Sequence, residues 1–231
     1  MMMSAESLIP MLWSAVTIAL YFASRRLHRA LGKWWSSPML VTWIACGALI
    51  LAFHTTYQDY LRGTGWMITL LGPATVAFAL PIHEQRALIR KHWPLLVVGV
   101  VVGSAIAFGS SWALAAALDL PSNVRASLLP RSVSTPFAMA ASAKIGGLPE
   151  LTASFTAVTG LFGAAVGDLL LARLPLRSSF ARGALLGMGA HGAGVAKAHE
   201  IGQEEGAVAG LIMVFAGLLN VVIASFVGVI Y

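Results

Sequence analysis

Three stretches of this sequence interrupt long apolar runs with groups able to bind or carry charge. The densest is Arg131-Ser132-Val133-Ser134-Thr135-Pro136, where a cation and several hydroxyls stand side by side. Pro136 disfavours α geometry at Thr135. A helix that starts at Thr135 or Pro136 aims its free N-terminal amides at this cluster, and such an end attracts anions. Arg131, Ser132, Ser134 and Thr135 are therefore candidate ligands for a small anion. The alternative is that the hydroxyls satisfy a kinked backbone while Arg131 snorkels to an interface.

The second stretch is Gly187-Met188-Gly189-Ala190-His191-Gly192-Ala193-Gly194. Gly187, Gly189 and Gly194 permit close backbone approach or an unwound helix. His191, with Gly192 beside it, sits in the middle of an apolar run. An imidazole that titrates near neutrality suits proton coupling; an interhelical hydrogen bond that fixes packing is the alternative. The third stretch is Gly72-Pro73-Ala74-Thr75. Pro73 removes a helical hydrogen bond, so freed peptide groups and Thr75 can face a polar ligand, or the helix is merely kinked and held by its neighbours.

The elements that must position these groups are membrane helices. The chain has 231 residues, 58% hydrophobic and 10% charged, against about 25% charged in a soluble domain. Its mean hydropathy is +0.81. The apolar blocks 8–24, 38–53, 66–82, 94–118, 128–143, 151–171, 183–196 and 206–231 give about eight segments near the length of a spanning helix. The expected fold is an all-α integral membrane protein of about seven to eight transmembrane or re-entrant helices, in one polytopic domain over 1–231. Pairs such as Gly163/Gly167 and Gly183/Gly187 suit close helix packing. The net charge of +6 lies in short loops, where the positive-inside rule accounts for it, and does not suggest nucleic acid. A Walker A motif, HExxH, CxxC and a credible catalytic triad are all missing, so neither an enzyme, a metal site nor a cofactor is expected.

Loop charge sets an expected orientation. Arg25, Arg26, Arg29 and Lys33 mark one cytoplasmic loop, and Arg86, Arg90 and Lys91 another. Arg173, Arg177 and Arg182 mark a third, while the acidic 197–205 loop is expected outside. Laying 72–84 over 188–200 matches Ala74/Ala190, Ala77/Ala193, His83/His199 and Glu84/Glu200. These features predict two inverted repeats with broken helices, in halves 1–118 and 122–231, an arrangement typical of secondary transporters. They also require one central segment, 123–143, to enter without crossing. Such a segment is tolerated where it is buried in protein or lines a wet cavity.

The motifs resemble those of the LrgB family, also called CidB-like membrane proteins. The resemblance rests on 71–81, on 128–139 (Leu128-Leu129-Pro130-Arg131-Ser132-Val133-Ser134-Thr135-Pro136-Phe137-Ala138-Met139), on 145–152, on Thr159-Gly160-Leu161-Phe162-Gly163-Ala164, and on Ala190-His191-Gly192-Ala193-Gly194-Val195-Ala196 followed by Glu204-Glu205-Gly206-Ala207. Arg131 stands where the family pattern has lysine, and Asp168 where it has an uncharged residue. The resemblance implies a multi-pass protein of the bacterial inner membrane, with two accounts of function. One is transport of small monocarboxylates of the glycolate, glycerate or pyruvate class. The other is holin- or antiholin-like regulation of murein hydrolase activity and autolysis. It also implies a small LrgA/CidA-type membrane partner; a homo-oligomer is a further expectation.

Overall fold

The computed structural model describes residues 5–230. The chain divides into two compact units, Met1–Ala74 and Thr75–Tyr231. The first contains α1 (Ala5–Leu31), α2 (Pro38–Ala52) and α3 (Tyr57–Thr69). Trp13 holds them together, its ring edge-on to Phe53 and Tyr60. Trp66 Nε1 adds a hydrogen bond of 2.8 Å to Ser14 Oγ.

The next segment comprises α4 (Leu71–Ala77) and α5 (Ala79–Glu84). Its interruptions fall at Leu70 and Phe78 rather than at Gly72-Pro73. Pro73 occupies the first turn of α4, where a missing amide hydrogen costs little. Then follow α6 (Arg86–Ala117), α7 (Ser122–Leu128), α8 (Thr135–Lys144), α9 (Pro149–Arg173), α10 (Ser179–Ile201) and α11 (Gln203–Ile230). No strand occurs among the described residues. Tyr57–Glu84, Arg86–Ala117, Pro149–Arg173 and Gln203–Phe226 are each long and apolar enough to cross a membrane. On α6 the side chains of Trp93, Val97, Val101, Ile106 and Trp112 are exposed, as a lipid-facing surface requires. Pro94 bends this helix at His92, whose backbone leaves helical geometry.

Between α6 and α9 the chain enters and returns. The Leu148 amide donates to Ser127 Oγ at 2.7 Å, so the end of α7 and the start of α9 lie side by side. Thr152 Oγ1 donates to Ser142 Oγ at 2.7 Å and ties α8 to α9. The segment from Ser127 to Leu148 is thus a hairpin whose tip is the turn between α7 and α8. The expectation that this central segment fails to cross agrees with this geometry.

A second hairpin lies where the sequence suggested a broken crossing helix. α10 is two helical limbs joined at His191, where φ is +37° and ψ −119°. The limbs fold against each other: a Cβ at Gly194 would overlap the carbonyl of Leu186, and Leu186 packs with Ala198. In a straight helix Leu186 and Ala198 would stand about 18 Å apart. The first limb descends antiparallel to α9, with Gly167 against Leu186, Gly163 against Gly189 and Gly160 against His191. It runs parallel to the start of α11, with Gly183 against Glu205 and Gly187 against Ala209.

The charge-based placement of the 197–205 loop is therefore corrected. Arg182 Nη2 pairs with Glu205 at 2.5 Å, and Lys197 Nζ with Asp168 at 3.1 Å. Both limbs of α10 begin and end on the face that holds Arg173. The acidic residues of that loop neutralise neighbouring cations on one face instead of marking the other. The start of α6 lies on this same basic face, because the His92 ring meets that of Phe180 at 5.0 Å. The two hairpins thus enter from opposite faces. Ser104 and Asn220, 116 residues apart and joined at 3.1 Å, sit on α6 and α11, which run in the same direction.

In a Cys46→Ser background, cysteines at Ser122 and Glu150 should react with an impermeant thiol reagent from one membrane face. Cysteines at Arg177 and Glu200 should react together from the other. Labelling of Arg177→Cys and Glu200→Cys from opposite faces would refute the second hairpin.

Candidate functional site

Two of the three groups singled out in the sequence fall at the hairpin tips. At the first, the chain is non-helical from Leu129 to Ser134, and α8 starts at Thr135 as Pro136 dictates. Ser134 is the N-cap of α8, yet its hydroxyl makes no capping bond. An N-cap serine ordinarily accepts from the helix's free amides. Ser134 is 6% exposed, and its Oγ has no hydrogen-bond partner. Ser132 and Thr135 flank it, half-buried.

Arg131 holds this tip in place. Its Nε donates to Ser111 Oγ of α6 at 3.0 Å. Its Nη1 donates to Thr159 Oγ1 of α9 at 3.3 Å. Thr159 lies about 15 Å along α9 from Pro149, near half the thickness of a hydrocarbon core. Arg131 therefore does not snorkel; its charge stays at mid-depth, hydrogen-bonded to the neutral hydroxyls of Ser111 and Thr159.

The second tip is His191, 5% exposed. A Cβ at Gly160 would stand 2.6 Å from its Cε1 and 3.1 Å from its Nδ1, so the imidazole occupies space that only glycine leaves open. His191 Nε2 is buried without a hydrogen-bond partner. Arg131 and His191 thus meet α9 at consecutive residues, Thr159 and Gly160, which places the two tips at one depth. Gly192, next to the histidine, is open.

Both tips are also helix N-termini. α8 starts at the first and runs away from it. The second limb of α10 starts at the other and runs toward the opposite face. Two positive dipole ends therefore point to the same mid-membrane level. An unpartnered buried hydroxyl or ring nitrogen costs about 1–3 kcal/mol, and here one stands at each tip.

Thr75 is not part of either tip. It lies one turn before Phe78, whose ring meets that of Phe137 at 5.6 Å on α8. Gly72 and Pro73 fall in the first compact unit, exposed. Ser111, Thr159 and Gly160 belong to the site but were not among its candidates in the sequence. Thr159-Gly160 was visible as a motif, and Ser111 as a polar residue inside an apolar run. Asp168, ambiguous in sequence, pairs with Lys197 on the basic face. His83 and His199 are exposed near helix ends.

These features define a multi-pass membrane protein with two opposed hairpins whose tips reach the same depth. Comparison with known proteins identifies it further. The LrgB-like family matches residues 17–229, and the chain belongs to that family, a group of bacterial membrane proteins. It is 35% identical to YwbG, an uncharacterised protein of Bacillus subtilis, over 91% of this chain and 94% of that one. It is 36% identical to YxaC of the same organism, covering 81% of this chain and 82% of YxaC. It is 28% identical to the holin-like protein CidB of Staphylococcus epidermidis, over 94% and 95% of the two chains. No solved structure matches.

Two substitutions separate packing from site chemistry. Ser134→Ala removes an orphaned hydroxyl and should leave the melting temperature of purified protein unchanged or raised. Gly160→Ala drives a methyl into the His191 ring and should destabilise by about 1–3 kcal/mol. A marked loss of stability in Ser134→Ala would contradict the unpartnered state of that hydroxyl.

Proposed function

We propose that this protein is a secondary transporter of small monocarboxylates of the glycolate, glycerate or pyruvate class. The observation that supports this best is the pairing of two helix N-termini at one depth, each bearing a buried, unpartnered polar atom. A carboxylate has two oxygens that accept hydrogen bonds. Ser134 and the first amides of α8 offer donors from one side, and His191 and the amides after it from the other. Gly192 leaves room for close approach. Arg131 supplies a positive charge at the same level, where low dielectric strengthens its field. Ser132 and Thr135 offer further hydroxyls to a hydroxy acid. His191 carries a coupled proton in this reading. The opposed hairpins suit alternating access, in which one bundle moves against another around a central site.

The second reading is a holin- or antiholin-like regulator of murein hydrolase activity and autolysis. The name of the staphylococcal relatives, holin-like protein CidB, favours it. An LrgA/CidA-type membrane partner fits either reading, as does a homo-oligomer.

Reconstituted protein, with and without an LrgA/CidA-type partner, should take up a labelled monocarboxylate in a saturable, stereoselective manner. Ser134→Ala and His191→Gly should each lower that flux at least tenfold, equivalent to about 1.4 kcal/mol. His191→Gly should fold normally, because glycine adopts positive φ without strain. Non-selective dye leakage, unchanged by either substitution, would favour the regulator reading.

A further inference from the structure

We infer that the α10 hairpin is the moving gate of this site and opens toward the basic face, while the α7–α8 hairpin stays fixed. The inference rests on the transport reading above. It comes from how differently the two hairpins are anchored.

The α7–α8 hairpin is fastened along its whole depth. At its tip Arg131 bridges α6 and α9 through Ser111 and Thr159. At its base Ser127 and Ser142 bond Leu148 and Thr152. Val133, Phe137 and Ala138 belong to the main apolar core with Leu96 and Val100 of α6 and Leu211 and Ile212 of α11. The Phe137 ring fills the space over Gly217. Moving this hairpin breaks hydrogen bonds at both tip and base, two of them donated by a guanidinium, and opens the core.

The α10 hairpin is seated differently. Its tip and first limb lie on a smooth track of α9 formed by Gly160, Gly163 and Gly167. Its own Gly183 and Gly187 lie on α11. The inter-helix side-chain bonds that hold it lie at its base: Arg182 with Glu205 and Lys197 with Asp168. His191 at the tip leaves Nε2 unpartnered, so withdrawal from α9 breaks no bond from that atom. The side chains of Arg182, Lys197 and Asp168 are about a third or more exposed. Water can hydrate Lys197 and Asp168 as they part, so releasing that pair costs little; the Glu205 side chain is 6% exposed, so parting it from Arg182 costs more and needs the base to open to water. The pairs act as a latch at the mouth, and along most of the limb glycines set backbone against backbone, leaving Met188 over Gly103 of α6 and Leu186 over Gly167 of α9 as the side chains that must slide when it lifts.

The test reads hairpin motion independently of transport. Full-length protein in the Cys46→Ser background carries one buried probe, Leu186→Cys in α10 or Val133→Cys in the fixed hairpin. Membrane vesicles of both orientations are treated with an impermeant maleimide. Combining Lys197→Met with Glu205→Gln should raise labelling of Leu186→Cys at least fivefold from the basic face and leave Val133→Cys unchanged. The charge exchange Arg182→Glu with Glu205→Arg, Lys197 intact, restores the pair and should return labelling to the parental rate. An equal rise at both probes, no rise at Leu186→Cys, or labelling from the opposite face would overturn the inference. If the labelling pattern holds but reconstituted protein moves no carboxylate, transport fails and the hairpin motion stands.

Discussion

Everything in this structure depends on one constraint: within a bilayer, backbone polar groups must find partners inside the protein. A continuous helix meets it automatically. The turns at Leu129–Ser134 and at His191 do not. They are tolerable at mid-membrane depth only because α6, α9 and α11 enclose them. Arg131 extends this logic. A guanidinium held at depth by Ser111 and Thr159 is expensive unless something offsets its charge. Two helix N-termini at the same level add further positive potential. Positive potential therefore accumulates at the depth of the two tips.

The same constraint divides labour between hydroxyls and glycines. Hydroxyls fasten what must not move: Ser127, Ser142 and Thr152 close the base of the first hairpin, and Ser104 with Asn220 joins α6 to α11. Glycines allow backbones to touch where apolar side chains would force helices apart. Gly163 against Gly189 and Gly187 against Ala209 are contacts in which an added methyl meets a carbonyl oxygen. Without water to drive association, this close packing supplies much of the helix–helix adhesion.

Much of this was legible in the sequence. Arg131 through Pro136 announced a helix start beside a polar cluster, and the structure has α8 begin there. The apolar block lengths announced spanning helices. The doubling back of α10 was not legible, because 183–196 has the composition of a crossing helix and nothing in residue type distinguishes a reversal at His191 from a kink. Loop charge then misled: Glu200, Glu204 and Glu205 read as an outer loop, whereas Glu205 neutralises Arg182 on the same face. Charge rules count residues along the chain, and the pairing here is across it. The roles of Ser111 and Thr159 were hidden for a related reason, since each becomes meaningful only through Arg131, 20 and 28 residues away.

The reversal at His191 carries a final argument. Gly192 follows directly and could adopt positive φ at no steric cost. The chain instead places φ of +37° on the histidine, a strain of order 1–3 kcal/mol for a residue with a Cβ. Packing does not call for it: the ring needs Gly160 to make room and leaves Nε2 unpartnered. A glycine at 191 would turn the chain more comfortably, and an aliphatic residue would avoid burying an unpaired nitrogen. Strain, a vacated neighbour and an orphaned polar atom at one residue together favour a role for the imidazole itself, with the hairpin serving to hold it at mid-depth.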